Sequence, residues 1–331
     1  MNQSGQRVVL LGGTGFLGVA LAQELRARNV ETVTVARGSS RRTAGGSVRG
    51  RADGSAGTGA DATAGTGRGD TSAGARRAGQ RGAARRGPDI RADVTRPGAL
   101  DGIIRRGDTV VYLVARSPVQ RPPGGRRTYR RMHLEGVRHA LAAAEEAGAA
   151  HVAYVSALGV TRGAGAAYAE TKALAEEWVV RSRIPSTIIA PSILFGEGSE
   201  IISLLRRLSA LPVVPVPRIS APFRPIHVGD AARLAAEAVT ASAPPRLPLT
   251  GPERLSFFEI VSRFLQAAGT TVVPLPPIIG EALVRAVSVV RIPGLPAELR
   301  AMLAIDNAGE APAHADDLTR YSNWVIEAAG P

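Results

Sequence analysis

The chain has no cysteine in its 331 residues, and one lysine among its 41 basic side chains. The missing thiols exclude disulfides, thiolate metal sites and cysteine nucleophiles. The missing lysines make the remaining one, Lys172, informative. A compact ammonium fits crowded sites where a planar guanidinium does not. Aromatic residues are scarce, at 4%. No apolar run approaches the roughly 18 residues of a bilayer span. No charged segment with a cleavable apolar stretch precedes the first strand. A cytoplasmic protein is expected, at most peripheral to a membrane. What is present is ordinary for a globular chain: 44% hydrophobic and 21% charged residues, enough to bury the core of one or two domains.

The net charge of +13 is unevenly placed. Residues 38–92 hold eleven arginines against four aspartates, +7 of the total. Between Gly38 and Asp89 the one large aliphatic residue is Val48, and aromatics are absent. Such a segment buries too little apolar surface to offset its ordering entropy, so residues 38–89 are expected to be a disordered Arg/Gly/Ala-rich insertion. No aromatics interleave its arginines to stack bases, which argues against nucleic acid as a partner.

Outside the insertion, strand and helix patterns alternate. Arg7 to Leu11 reads as a buried strand, residues 15–28 as a helix with Phe16, Leu17, Leu21 and Leu25 on one face, and Thr32 to Ala36 as a second strand. Further strands are expected at Thr109 to Val114, His151 to Ser156 and Ser186 to Ala190, with helices at 128–147 and at Tyr168 to Arg181. This is the spacing of a doubly wound α/β fold with a parallel sheet. Residues 1–37 and 90–240 make its core, and residues 241–331 a small C-terminal lobe for substrate or a partner. Leu211 to Pro225, rich in Pro and Val, reads as a loop over the substrate.

Gly12, Gly13, Thr14, Gly15, Phe16, Leu17 and Gly18 lie between the first strand and the first helix. Glycines three apart allow a tight turn, a close approach of backbone to a pyrophosphate and close packing of helix on strand. The helix N-terminus offers free N–H groups to phosphates. With strand before and helix after, the loop reads as a dinucleotide site. The second strand is followed by Arg37 and not by an acid, which favours NADP(H) over NAD(H), since arginine suits a 2′-phosphate. The alternative is that Arg37 merely begins the basic insertion. Asp93 has two roles open to it: accepting from the adenine amine, or capping the next turn.

Tyr168 and Lys172 are four residues apart and share a helix face. Ser156 closes the preceding strand, at the sheet edge where such folds place ligands. Tyr168 would pass a proton to or from a substrate oxygen, with its pKa lowered by the nearby ammonium together with the nicotinamide charge. Ser156 would hydrogen-bond that oxygen, and Lys172 would also hold the nicotinamide ribose.

On these residues the chain resembles the short-chain dehydrogenase/reductase superfamily, in its extended or atypical, epimerase/dehydratase-like branch. Tyr154 to Gly159, Ala190 to Gly196, Pro225 to Ala232 and Leu249 to Glu253 are similar to its other motifs. The stretch Leu295 to Leu303, followed by Asp306 and Asn307, is similar to the group containing the nucleotide-binding accessory subunit of respiratory complex I. The resemblance implies a Rossmann-type fold and bound NAD(P), with Ala115 and Pro191 completing the nucleotide contacts and no metal. It also implies two alternatives: a reductase, dehydrogenase or epimerase acting on a small molecule, or a non-catalytic nucleotide-holding subunit of a membrane complex. Two positions depart from the superfamily pattern. His133 stands where an asparagine usually supports the lysine, and Ala190 where an arginine precedes Pro-Ser. His227 reads as structural. Residues 278–290 carry an apolar helical stripe suited to self-packing, a membrane or a partner.

Overall fold

A computed structural model of the protein describes residues 6–37, 89–119, 124–241, 244–276 and 306–329. The stretches 38–88 and 277–305 lie outside them, and with them the expectations for the insertion, the apolar stripe and most of the complex I-like tail.

The first half alternates strand and helix: β1 (Arg7–Leu11), α1 (Phe16–Ala27), β2 (Glu31–Ala36), β3 (Ile90–Arg91) and β4 (Thr109–Tyr112). A long helical segment follows. It begins as α2 (Arg126–Tyr129), widens into a π-helical stretch (Arg130–Glu135) and continues as α3 (Gly136–Ala147). Then come β5 (His151–Val155), α4 (Ala167–Val180) and β6 (Ser186–Pro191). With β11 (Arg246–Leu249) these strands form a seven-stranded sheet, ordered β11-β6-β5-β4-β1-β2-β3 and parallel at every pairing. The strand order reverses between β1 and β4, and a doubly wound fold opens its ligand crevice at that switch point.

Buried on both faces, the strands read as apolar runs and not as alternating patterns. Val9, Leu11, Val110, Tyr112, Val152 and Tyr154 face α3 and α4. Val8, Leu10, Val111, Ala153 and Ile189 face α1 and α6 (Val228–Thr240). The Arg7 guanidinium, buried at the start of β1, pairs with Asp108 and Glu31. Asp89 re-docks the chain after the long β2–β3 connection. Its Oδ2 accepts from the Thr34 amide and hydroxyl, both at 2.8 Å, and from Arg26. Asp89 therefore belongs to the sheet edge and not to the insertion.

The lobe has its own apolar cluster. Among its contributors are α5 (Glu200–Leu208), β8 (Val213–Pro217), α7 (Phe257–Ala267) and α8 (Tyr321–Ala329). Short pairings complete it: β8 with β13 (Thr271–Leu275), and β9 (Pro222–Phe223) with β12 (Leu255–Ser256). Further up the chain, β7 (Leu194–Phe195) pairs with β10 (Ile226–His227). A capping box of Ser256 and Glu259 starts α7.

Two expectations are corrected here. Leu211 to Pro225 is not a loop, because Val213–Pro217 is a strand whose Val214 and Val216 are buried in the lobe. Core and lobe also do not divide at residue 240. The sheet takes its edge strand from Arg246–Leu249, while the lobe takes Glu200–Phe223 from the stretch assigned to the core. Arg246–Leu249 pairs in parallel with Ile188 to Pro191 of β6, and a parallel neighbour needs a crossover connection, which α6 supplies.

Candidate active site

The glycine loop leaves β1 with a turn that requires glycine at Gly12, where φ is +92°. The Gly12 amide donates to Val35 O at 2.8 Å, tying the loop to the end of β2. A Cβ on Gly18 would lie 2.6 Å from Gly12 O and 2.9 Å from Gly13 Cα, and one on Gly13 would meet Thr34 at 2.8 Å. Loop and helix therefore pack backbone to backbone, and the loop packs against the Thr34 side chain of β2. No side chain caps α1 at Gly15, and its first turn holds no acid. The N–H groups of Phe16, Leu17 and Gly18 are left for an anion, as a dinucleotide pyrophosphate requires. Thr14 lies within the same turn.

Arg37 is exposed one residue beyond β2. Asp93 follows β3, and its Oδ1 accepts from the Thr95 amide (3.1 Å) and hydroxyl (2.8 Å). It thus caps the turn. Burial pushes its carboxyl up, but the Thr95 bonds and the positive fields of Arg37 and Arg96 outweigh this and hold it below the usual range. Arg37 and Asp93 therefore share one corner of the crevice, at the β2–β3 edge. Ala115 is exposed beyond β4, next to Val114, which abuts Gly12. Pro191 ends β6, and its carbonyl accepts from Leu158 N at 2.9 Å.

At the β5–α4 edge the structure brings Ser156, Tyr168 and Lys172 together. All three are buried. Lys172 Nζ donates to Val155 O, beside Ser156, at 2.8 Å. The same ammonium lies 5.1 Å from the ring centre of Tyr154 and 5.8 Å from that of Tyr168, a cation over two aromatic faces. Ser156 is anchored by its amide to Ile189 O, while its buried Oγ has no hydrogen-bond partner among the described residues. A buried hydroxyl left this way fits a site built to take a hydrogen bond from a ligand.

The electrostatics depart from the sequence expectation. Burial raises the Tyr168 phenol above its ordinary value, with Tyr129 adding to the rise. Burial also pulls Lys172 down to about 7, partly opposed by Glu176. Burial is the largest influence on both groups, and it disfavours the charged form of each.

The sign for stability follows from linkage. The unfolded chain holds the Lys172 proton up to about pH 10.5, while the folded chain releases it near 7. Stability therefore rises with pH through that window. Urea denaturation at pH 7.5 and 9.5 should show wild type gaining about 1 kcal/mol per pH unit more than Lys172→Met. Equal slopes would contradict the lowering of Lys172 by burial.

Three residues join the site that sequence reasoning did not single out. Tyr154, buried on β5 two residues before Ser156, presents its ring to Lys172 Nζ. Tyr129 meets the Tyr168 ring edge-on, with centroids 5.8 Å apart. Thr171, next to Lys172, bonds the His133 ring. Away from the site, His227 Nδ1 accepts from Gly229 N and its ring packs against Phe195, a helix-capping and core role. Among the described residues no cluster of His, Asp and Glu could hold a metal, and no helix is long and apolar enough to cross a membrane.

A curated ceramide reductase from Caulobacter vibrioides is 29% identical over 145 residues, 43% of this chain and 44% of that protein. The chain thus matches less than half of that relative's length. A Staphylococcus aureus nucleoside-diphosphate-sugar epimerase superposes with a TM-score of 0.64 at 14% identity, covering 97% of this chain and 100% of that one. A Thermus thermophilus UDP-glucose 4-epimerase in complex with NAD superposes with 0.58 at 17% identity, covering 82% and 87%. A Bacillus anthracis dTDP-4-dehydrorhamnose reductase in complex with NADP gives 0.57 at 16% identity, covering 83% and 86%. These structural likenesses establish the Rossmann-type fold. The model of the NAD dependent epimerase/dehydratase family matches residues 8–246, and the chain belongs to that family.

Proposed function

We propose that the protein is an NAD(P)(H)-dependent oxidoreductase of the reductase, dehydrogenase or epimerase kind, acting on a small molecule at Ser156, Tyr168 and Lys172. The observation that carries this reading is the chain's one lysine, buried between two tyrosines beside a buried serine hydroxyl that has no partner among the described residues. When bound, the nicotinamide supplies or accepts the hydride. The protein's part is to hold and move a proton. The Ser156 hydroxyl donates to the substrate oxygen and fixes its position. The Tyr168 phenol, protonated at neutral pH, gives its proton to that oxygen in the reducing direction. Lys172 carries the positive charge that favours phenolate formation and reaches the nicotinamide ribose.

Arg37, Asp93, Ala115 and Pro191 complete the nucleotide site in this reading, with NADP(H) favoured. Arg37→Ala should weaken NADPH binding about tenfold or more, the scale of a charge-assisted phosphate hydrogen bond, and leave NADH nearly unchanged. Fluorescence titration with both nucleotides checks this, and equal losses for the two would remove the 2′-phosphate role.

Ceramide, from the Caulobacter vibrioides relative, and nucleoside-diphosphate sugars, from the structural neighbours, are the substrate classes to screen first. Turnover of one with NADPH or NADH, lost in Tyr168→Phe, supports the enzyme. Tight nucleotide binding with no turnover supports the second reading, a nucleotide-holding subunit docked on a membrane complex in the cytoplasm. His133, in place of the usual asparagine, is the residue that favours it.

A further inference from the structure

The loop that leads from Ser156 towards α4 is held from two sides at Leu158. The Leu158 amide donates to Pro191 O, at the end of β6, at 2.9 Å. The Leu158 carbonyl accepts from the side-chain amide of Asn307, 149 residues further along the chain. A carbonyl can only accept, so the Asn307 Nδ2 faces Leu158 and its Oδ1 faces the other way. There the Ser192 hydroxyl lies 2.8 Å from both Oδ1 and the Asn307 carbonyl oxygen, and itself accepts from the Arg224 amide at 3.3 Å. The Asn307 backbone amide donates to Pro222 O, in β9 of the lobe, at 3.2 Å. Asn307 is 3% exposed, and both ends of its side chain are satisfied.

The residues after Asn307 are docked as well. Ala308 is buried. A Cβ on Gly309, where φ is +55°, would lie 3.0 Å from Leu158 Cδ2. The Glu310 carbonyl accepts from the Thr250 hydroxyl at 3.0 Å. Leu158, Ser192 and Thr250 lie just beyond the C-terminal ends of β5, β6 and β11, three neighbours in the sheet. Residues 306–310 thus form a strap across the sheet edge at which doubly wound folds take their ligands. The bond to Leu158 O is the point where the strap grips the loop of Ser156.

We propose that Asn307 is a positioning residue for Ser156: by holding the Leu158 carbonyl it fixes the loop from which the serine hydroxyl meets the substrate oxygen. The role rests on the reading of Ser156 as the donor to that oxygen. Asn307 acts through the loop. Without it, a buried carbonyl loses its donor and the loop loses one of its two holds. A displacement of about 1 Å in a reacting group can cost about 10²-fold in rate.

Asn307→Leu keeps the size of the side chain and its backbone bonds, and removes both amide contacts. Hydrogen exchange followed by mass spectrometry should show the peptide covering residues 156–166 exchanging about tenfold faster, the scale of one lost buried hydrogen bond. With ceramide or UDP-glucose, whichever the wild type turns over, kcat should fall about 10- to 100-fold. NADPH affinity, read by fluorescence, should stay nearly unchanged. Thr250→Val is the control. It frees the strap at Glu310 and leaves Leu158 held, so it should lower thermal stability without faster exchange at 156–166 or loss of kcat. If Asn307→Leu does not fold, Ser192→Ala, which removes only the bond that orients the Asn307 amide, should shift exchange and kcat in the same direction by less. Unchanged exchange at 156–166 in the folded variant overturns the proposal. Faster exchange with wild-type kcat overturns it too, and so does an equal loss of kcat in Thr250→Val. Ser156→Ala is measured in parallel. If it keeps wild-type turnover, or if the wild type turns over neither substrate, the reading of Ser156 fails, and exchange alone decides whether Asn307 holds the loop.

Discussion

Tyr168→Phe should slow hydride transfer by about 10²- to 10⁴-fold, the range for loss of a positioned general acid. The nucleotide should bind with little change. The phenol is buried against Tyr129 and His133, and its ring supplies one of the two faces around Lys172. Phenylalanine keeps the ring, the edge-on contacts and most of the packing, and removes the hydroxyl that carries the proton. The loss should therefore fall on the chemical step and not on affinity. Single-turnover oxidation of NADPH, followed by absorbance, separates the two. A further consequence follows from the low lysine value: kcat/KM reports the free protein, and should decline as pH rises past about 7, where Lys172 gives up its charge. If the variant keeps wild-type turnover, Tyr168 is not the proton donor.

Gly18→Ala should be the most damaging single methyl in the nucleotide site. Its Cβ would lie 2.6 Å from Gly12 O and 2.9 Å from the Gly13 backbone. Neither neighbour is a side chain that can rotate away. Helix α1 must then tilt off the loop, and the N–H groups that face the phosphates move with it. Overpacking of this kind costs about 1–3 kcal/mol of stability. The displaced donors should weaken nucleotide binding about tenfold or more, since each charge-assisted hydrogen bond is worth about 1.5–3 kcal/mol. Gly15→Ala is the control. Gly15 has φ −73°, which any residue adopts, and its Cβ would meet nothing nearer than Gly12 O at 3.3 Å. It should lose far less in both respects. Thermal unfolding and nucleotide titration of the two variants decide the matter, and equal behaviour would show that the loop is not closely packed on the helix.

The sheet and its site were largely legible because each rests on local chemistry. β1 is a continuous apolar run since both its faces are covered, and the glycine triplet marks a turn that tolerates no side chain. Tyr168 and Lys172 are one helical turn apart, so their shared face is arithmetic. What was not legible depends on contacts distant in sequence. The edge strand Arg246–Leu249 has no strong pattern of its own, and is a strand because β6 lies beside it. Val213–Pro217 looked like a loop for its prolines, yet pairs with Thr271–Leu275, from far along the chain. The raised Tyr168 and lowered Lys172 values arise from burial, which spacing does not reveal. His133 was visible as a departure from a pattern, but its bond to the Thr171 hydroxyl was not.

The central claim is that the one lysine of this chain lies in the nucleotide site. Titrating NADPH into protein labelled with 13C at lysine Cε tests it most directly, because a single signal reports a single residue. The Lys172 signal should shift with added nucleotide, saturate at the same concentration as binding followed by fluorescence, and titrate at higher pH in the complex. A signal that stays in place while the protein saturates with nucleotide would contradict it.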